Sequence, residues 1–480
     1  MKPRPTSLLL AARPLAAGLL TLLAGCATQP GSATKPPPAA PLPAAFDGHL
    51  TKERGESPAP VARDWWTAFN DATLDRLVSH ALSANEDILI ADARLREAEA
   101  GYAAARTGRE PSVDAVAEYR RQHLPPNDRN RDPLISQYAV TGIAASWDAD
   151  LFGRVRSLAE AARAGVRAGR AARDDAALAV SSALARTYLE YRGEQAALVQ
   201  AHRIRDLRAS EVGWIRRRID AGLAGRAELA EASMRLDAQD ADLADLGREH
   251  ARTLHRLAVL AAEPADRLRT LLAEPAPLAP EPACPPQPSP ALLLSRRADI
   301  QQAAQELVAA RAVVDASQAE LLPRLTFSGQ LSFFAFGWGL GPNLQWDLFD
   351  RARVKAREAR AAAQADEAVA RYQRTVRLAV SEVEDALSDL DAARQRRDSL
   401  KAAAGQAGLL ADYARQRLAA GLATRIDLAD AQVAEARARL ELDAQESAVR
   451  RAWVGLFTAL GGGGPASEAP KADAKIDPRR

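Results

Sequence analysis

The stretch QRLAAGLATRIDLADA, residues 416–431, repeats an earlier stretch, RRIDAGLAGRAELAEA, residues 217–232. Two further segments recur in the same order. NEDILIADARLREAEAGYAAARTGREPSV (85–113) corresponds to RADIQQAAQELVAARAVVDASQAELLPRL (297–325), and WDADLFGRVR (147–156) corresponds to WDLFDRARV (346–354). Three segments that recur in one order indicate a tandem duplication. We place the first repeat at 61–273 and the second at 291–460, joined by a proline-rich linker at 274–290.

Each repeat contains long segments with helical periodicity. Between Val376 and Leu390 the apolar residues recur at steps of three and four, which is the coiled-coil spacing. About 65–70 residues without proline lie between each Leu-Phe pair and the glycine of the next predicted turn. A helix of that length would be on the order of 100 Å long and needs partners throughout. We therefore expect two long helical hairpins, with tips near Gly222 and Gly421.

Each repeat also contains a predicted β-hairpin, at 112–148 and at 325–348. In LTFSGQLSF (325–333), apolar residues and glycine alternate strictly with Thr, Ser and Gln; a second strand is predicted at 343–348, after a turn that carries Phe334, Phe336 and Trp338. This alternation is typical of strands that cross a bilayer, although a sheet packed on a soluble core is an alternative. Four strands cannot close a barrel and lipid excludes open sheet edges, so a membrane location requires several copies.

The N-terminus has the features of an export signal. Residues 1–25 combine Lys2, Arg4 and Arg13 with a short apolar run, and the run ends in Leu-Ala-Gly before Cys26. This ending resembles a bacterial lipobox, which implies cleavage and acylation at Cys26; an ordinary signal peptide is the alternative. Ala27 after the cysteine favours the outer membrane. Residues 26–60, rich in Pro and Ala, are predicted to be a lipid-anchored tether, and 461–480 a flexible tail.

Charge and motifs exclude several classes of protein. Without its signal the chain has 61 basic and 62 acidic side chains, so nothing indicates a nucleic-acid partner. No motif predicts an enzyme, a cofactor or a metal site. His250 and His255 are five residues apart and are expected to be solvated. With Cys26 acylated, Cys284 has no partner for an intrachain disulfide.

The order of these segments is similar to that of the TolC-like outer membrane factors, the exit channels of tripartite efflux pumps. The resemblance covers about residues 60–460 and is carried by Cys26, by DWWTAFNDATLDRLVSHALSANEDI (64–88), by the two Trp-Asp…Leu-Phe segments and by AGLATRIDLADAQ (420–432). It implies an α+β membrane protein that forms a homotrimer. Twelve strands would make a β-barrel in outer membrane lipid, and twelve helices an α-barrel in the periplasm. It also implies a periplasmic adaptor and an inner-membrane RND-type pump as partners.

The same resemblance implies roles for residues at the two tips. Gly222, Leu223, Gly421 and Leu422 would dock the adaptor; plain helix stops are the alternative. Asp427 and Asp430 would form a carboxylate gate at the tunnel mouth, unless they are simply solvated. Family members often have a basic residue three positions after the second Asp, where this chain has Val433.

Two other functions fit parts of this pattern. A periplasmic adaptor also has a coiled-coil hairpin, but it has one rather than two in tandem. A structural coiled-coil lipoprotein would not need alternating strands. The tandem hairpins and the strands therefore favour an outer-membrane channel.

Overall fold

The computed structural model describes residues 42–43, 46, 64–124, 134–282, 290–333, 336–346 and 349–462. The signal segment, Cys26, Cys284, Phe334 and most of the predicted tail lie outside these ranges. A short 3₁₀ helix, Trp65–Phe69, precedes the first repeat. That repeat contains α1 (Ala72–Ala84), α2 (Glu86–Thr107), β1 (Ser112–Leu124), β2 (Leu134–Asp148), α3 (Arg154–Asp220), α4 (Arg226–Ala261) and α5 (Ala265–Leu271). The second contains α6 (Pro290–Arg296), α7 (Ala298–Ala319), β3 (Arg324–Ser332), β4 (Gly337–Gln345), α8 (Arg351–Ala419) and α9 (Arg425–Ala459).

The predicted duplicated plan of strand pairs and helical hairpins is confirmed. Helices α3 and α8 have 67 and 69 residues, and the helices that return from their tips, α4 and α9, have 36 and 35. At 1.5 Å per residue, α3 and α8 are each on the order of 100 Å long. None of the helices in the described ranges is both long enough and apolar enough to span a bilayer.

The four strands form one antiparallel sheet in the order β1-β2-β3-β4. Strands β2 and β3, which come from different repeats, pair with Trp147 opposite Phe327 and Ile143 opposite Leu331. Because side chains alternate along a strand, the register places Ile143 and Trp147 of β2 on one face with the apolar residues of β3 and β4. The other face has small and polar side chains such as Ser146, Ser328 and Gln330.

The second strand of the second hairpin, β4, begins earlier in the chain than the sequence predicts. We predicted 343–348, with Trp338 in the preceding turn, but the strand begins at Gly337 and ends at Gln345. The glycines at 337, 339 and 341 alternate with Trp338 and Leu340, so the segment keeps the strand period. Glycine has low strand propensity and is common in turns, which is why the sequence predicts a turn here.

The chain divides into two compact units. One comprises Leu95–Gly169 and Gln302–Gln373 and contains the sheet with the adjoining helix ends. The other comprises the described parts of 40–94, 170–301 and 374–462. Its core includes an aromatic cluster in which Phe457 stacks on Trp65 and Trp453, with ring centroids 5.6 and 5.7 Å apart.

The start of the inter-repeat linker is held to helices of both repeats. The backbone carbonyl of Glu274 accepts a hydrogen bond from Arg192 of α3 (3.0 Å). The carboxylate of Glu281 accepts hydrogen bonds from Arg394 of α8 (2.7 Å) and from the indole of Trp453 of α9 (3.1 Å). Burial alone would raise the pKa of Glu281, but these bonds hold it below its ordinary value. The linker therefore cross-links the two repeats within the second unit.

Candidate functional site

The first helical hairpin turns at Gly222 with a Schellman motif. The amide of Leu223 donates to the carbonyl of Arg218 (2.7 Å), and the amide of Gly222 donates to the carbonyl of Ile219 (2.9 Å). Gly222 has φ +72°, a left-handed conformation that glycine adopts without steric cost. The Arg218 side chain also donates to the carbonyl of Leu223 (3.0 Å), which fixes the turn further.

The second tip repeats this geometry. Gly421 has φ +71°, and the amide of Leu422 donates to the carbonyl of Arg417 (2.8 Å). The Arg417 side chain donates to the carbonyl of Leu422 (3.1 Å). Leu223 and Leu422 are 68% and 69% exposed. Each tip of this chain therefore presents one leucine to solvent on a rigid turn.

The structure gives Asp427 a local role at the start of α9. Thr424 is the N-cap, and its hydroxyl accepts a hydrogen bond from the amide of Asp427 (3.2 Å). In return, the Asp427 carboxylate accepts hydrogen bonds from the amide (2.7 Å) and hydroxyl (2.8 Å) of Thr424, which completes a capping box. The hydrogen bond from the Thr424 amide is the main reason that the pKa of Asp427 is lowered.

Asp430 is paired with a residue that the sequence did not indicate. Its carboxylate accepts a hydrogen bond from Arg208 of α3 at 2.7 Å, and the same guanidinium nitrogen donates to Glu211 at 2.7 Å. The Arg208 side chain is 10% exposed and that of Asp430 is 55% exposed. Burial alone would lower the pKa of Arg208, but its bonds to the two carboxylates raise it.

The network extends from α3 to α4. Glu211, which is fully buried, also accepts a hydrogen bond from Arg235 of α4 (2.6 Å). Ion pairs therefore join α3 to both α4 and α9 near the tips. We define Arg208, Glu211, Arg235 and Asp430 as the tip network. Its only sequence signal is an Arg and a Glu three positions apart on α3, a spacing too common in long helices to single out.

Val433, which replaces the expected basic residue, lies in the contact between α3 and α9. It is buried with Ile204 and Ala436. The α3–α9 contact thus combines an apolar cluster with the Arg208–Asp430 pair. A second pair, Arg203 with the buried Glu435 (3.4 Å), also joins these helices.

The expectation that His250 is solvated is wrong. Its ring stacks on Tyr191 with centroids 4.2 Å apart, and its Nδ1 lies 3.5 Å from a Glu194 carboxylate oxygen. It is therefore a packing residue between α4 and α3. In the parts of the chain that are described, no three His, Cys, Asp or Glu side chains are grouped to hold a metal ion.

Comparison with known proteins agrees with this architecture. The sequence profile of the outer membrane efflux protein family matches residues 77–263 and 290–462. The chain is 29% identical to outer membrane protein OprJ of Pseudomonas aeruginosa over 441 residues, which cover 89% of this chain and 91% of OprJ. It is 28% identical to the toluene efflux pump outer membrane protein TtgC of Pseudomonas putida, over 84% of this chain and 86% of TtgC.

A solved structure has the same fold. The outer-membrane channel OprN superimposes with a TM-score of 0.81 at 29% identity, over 90% of this chain and 99% of the OprN chain. The profile match spans both repeats, and the superposition includes almost the whole solved chain. The chain belongs to the outer membrane efflux protein family, and the resemblance to TolC-like outer membrane factors is confirmed.

Proposed function

We propose that this protein is the outer-membrane exit duct of a tripartite efflux pump and passively conducts small toxic compounds out of the periplasm. The observation that carries the proposal is a sheet with one apolar, exposed face on a chain that also has two helical hairpins, each with one arm about 100 Å long. The relatives are named as efflux pump outer membrane proteins. The duct would supply a path and no catalytic step, and the energy would come from an inner-membrane pump.

The proposed assembly is a homotrimer. Strands β1 and β4 are the edges of the sheet within one chain, and open edges are not stable in lipid. Pairing β4 of one copy with β1 of the next, three times, would close a twelve-stranded barrel. Pro342 in β4 fits an edge position, where a missing N–H costs least.

Leu223 and Leu422 are proposed to dock a periplasmic adaptor, and their matched Schellman turns would fix the leucines for that contact. We expect Leu223→Asp combined with Leu422→Asp to lose adaptor binding, measured by crosslinking in cells that contain the cognate pump. The trimer should persist, because neither leucine is buried. Alanine at the same two positions is the matched control and should weaken binding less. Unchanged crosslinking of the aspartate variant would show that the tips are only helix stops.

Cys26 is proposed to carry the lipid anchor. We expect Cys26→Ser to lose labelling by a radioactive or clickable fatty acid and to keep its signal segment, because the thiol is the acyl acceptor. Cys284→Ser is the matched control and should retain both labelling and processing. Normal processing and labelling of the Cys26→Ser protein would overturn the lipoprotein assignment.

The closed state is proposed to be held at the tip network. The Arg208–Asp430 pair joins the two hairpins, so its release would let α9 move away from α3. Asp430 would act through this pair, whereas Asp427 would act by capping α9. In a trimer each acid would occur three times around the tunnel mouth.

A further inference from the structure

The two repeats make the same contact where the strands meet the helices. The indole N–H of Trp147 donates to the carbonyl of Arg109 (3.1 Å), and that of Trp346 donates to the carbonyl of Leu321 (3.1 Å). Both carbonyls come just after a helix, α2 or α7. With the N–H groups already bonded within the chain, both partly exposed rings can lie against lipid without an unmet donor.

These rings lie at the helix end of the apolar face. Trp147 stacks on Phe327 with centroids 5.7 Å apart, and Trp346 follows Leu344 by two residues on the same face. Beyond them, Leu151 and Phe349 are exposed in the connections to α3 and α8, and Phe349 is fully so. Apolar surface thus continues past the sheet to the first turn of the helices. Tryptophan in this position is typical of a membrane–water interface.

Two arginines, Arg109 and Arg351, lie next to these tryptophans in the structure. The Arg351 guanidinium lies 5.9 Å from the centroid of Trp346, and Arg109, whose carbonyl holds Trp147, is exposed. Among the described residues neither guanidinium has a carboxylate within ion-pair distance, whereas the neighbouring Arg357 is paired with Glu320. Arg351 is also the first residue of α8, where the helix dipole adds positive potential.

We propose that Arg109, whose carbonyl binds the Trp147 indole, and Arg351, whose guanidinium lies near the Trp346 ring, bind the phosphate of anionic phospholipids in the periplasmic leaflet of the outer membrane. Continuity with the lipid-facing strands favours a lipid over a protein partner. The fork of N–H donors on a guanidinium matches a phosphate, and a guanidinium without a carboxylate partner favours headgroups with net negative charge. A homotrimer would carry six such positions. The inference rests on the outer-membrane location but not on transport.

The test measures which lipids the intact trimer retains. Full-length acylated trimer is exposed to equimolar phosphatidylglycerol and phosphatidylcholine with matched chains, and bound lipids are counted by native mass spectrometry. One arginine near a membrane surface contributes about a fivefold preference, so wild type should favour phosphatidylglycerol by at least that factor. Arg109→Gln combined with Arg351→Gln should bring the ratio close to one. Lysine at both positions should keep most of the preference.

Arg374→Gln combined with Arg396→Gln is the matched control, since it removes two exposed charges from α8 in the second unit. It should leave the ratio unchanged. Equal retention of both lipids by wild type overturns the proposal. So does a glutamine variant that keeps the wild-type ratio, or displacement of phosphatidylglycerol by millimolar inorganic phosphate. If the Arg109→Gln, Arg351→Gln double variant does not form heat-resistant trimers, the test uses the ratio of phosphatidylglycerol to phosphatidylcholine bound by wild type and by each single variant. Each single variant should then bind less phosphatidylglycerol than wild type.

Discussion

Arginine in place of Phe327 or Leu331 is expected to abolish trimer assembly in the outer membrane. Phe327 stacks on Trp147, and Leu331 lies opposite Trp338 and Ile143 on the apolar face of the sheet. A charge that faces lipid near the midplane costs about 2–4 kcal/mol per copy, hence roughly 6–12 kcal/mol per trimer. That cost is as large as the whole folding stability of a typical domain.

Arginine at Ser328 or Gln330 is the matched control in the same strand. These residues lie on the other face, opposite Gly341 and Gly339 of β4, which leave room for a longer side chain. Heat-resistant trimers in outer-membrane fractions should persist for both control variants and disappear for Phe327→Arg and Leu331→Arg. Equal yields from all four variants would mean that the apolar face does not contact lipid.

Loss of Arg208 is expected to open the tunnel mouth more than loss of Asp430. Arg208→Ala removes the α3–α9 pair and also takes one of two arginine partners from buried Glu211. A buried charge left with no partner costs about 3–5 kcal/mol, and because Arg235 still bonds Glu211 we expect a smaller cost here. Asp430→Ala removes only a half-exposed partner of Arg208. Exposed ion pairs contribute at most about 1 kcal/mol to stability, so this loss should be smaller. We expect cells with Arg208→Ala to admit a large polar antibiotic that an intact outer membrane excludes, and cells with Asp430→Ala to admit less.

Arg205→Ala is the matched control for this experiment. Arg205 lies one turn earlier on α3 and is paired with Asp240 of α4, so its loss leaves the α3–α9 pair intact. Arg425, at the start of α9, is less suitable as a control, since its guanidinium lies 5.9 Å from the ring centroid of Trp214 of α3. Its loss would itself remove a contact between α3 and α9. Asp427→Ala should loosen the start of α9 through its cap. If Arg208→Ala admits no more antibiotic than Arg205→Ala while trimers stay intact, the gate lies elsewhere.

Periodicity made much of the fold predictable. The steps of three and four in α8, the proline-free lengths of α3 and α8, the alternation in β3 and the glycines at both tips each reflect a local constraint on the backbone. The duplication then made each repeat a check on the other. The start of strand β4 was not predicted, because glycines at 337, 339 and 341 leave one face of the strand without side chains. The segment around Trp338 and Leu340 therefore has the composition of a turn.

The candidate site was less predictable than the fold. Gly222 and Gly421 could be located because a left-handed turn restricts the residue type. The role of Arg208 could not be predicted, because its partner Asp430 is more than 200 residues away and the contact depends on how the two helices pack. Nor did the sequence show that Val433 would fill the α3–α9 contact with an apolar side chain.

Single-channel recording in planar bilayers tests the central claim most directly, with purified trimers of wild type, Asp430→Ala and Arg208→Ala. We expect discrete conductance steps from all three, small for wild type, larger for Asp430→Ala and largest for Arg208→Ala. Block of the wild-type channel by hexammine cations from the tip side should weaken when Asp430 is lost. Intact trimers of Arg208→Ala that insert but conduct no ions would contradict the assignment of this protein as a duct.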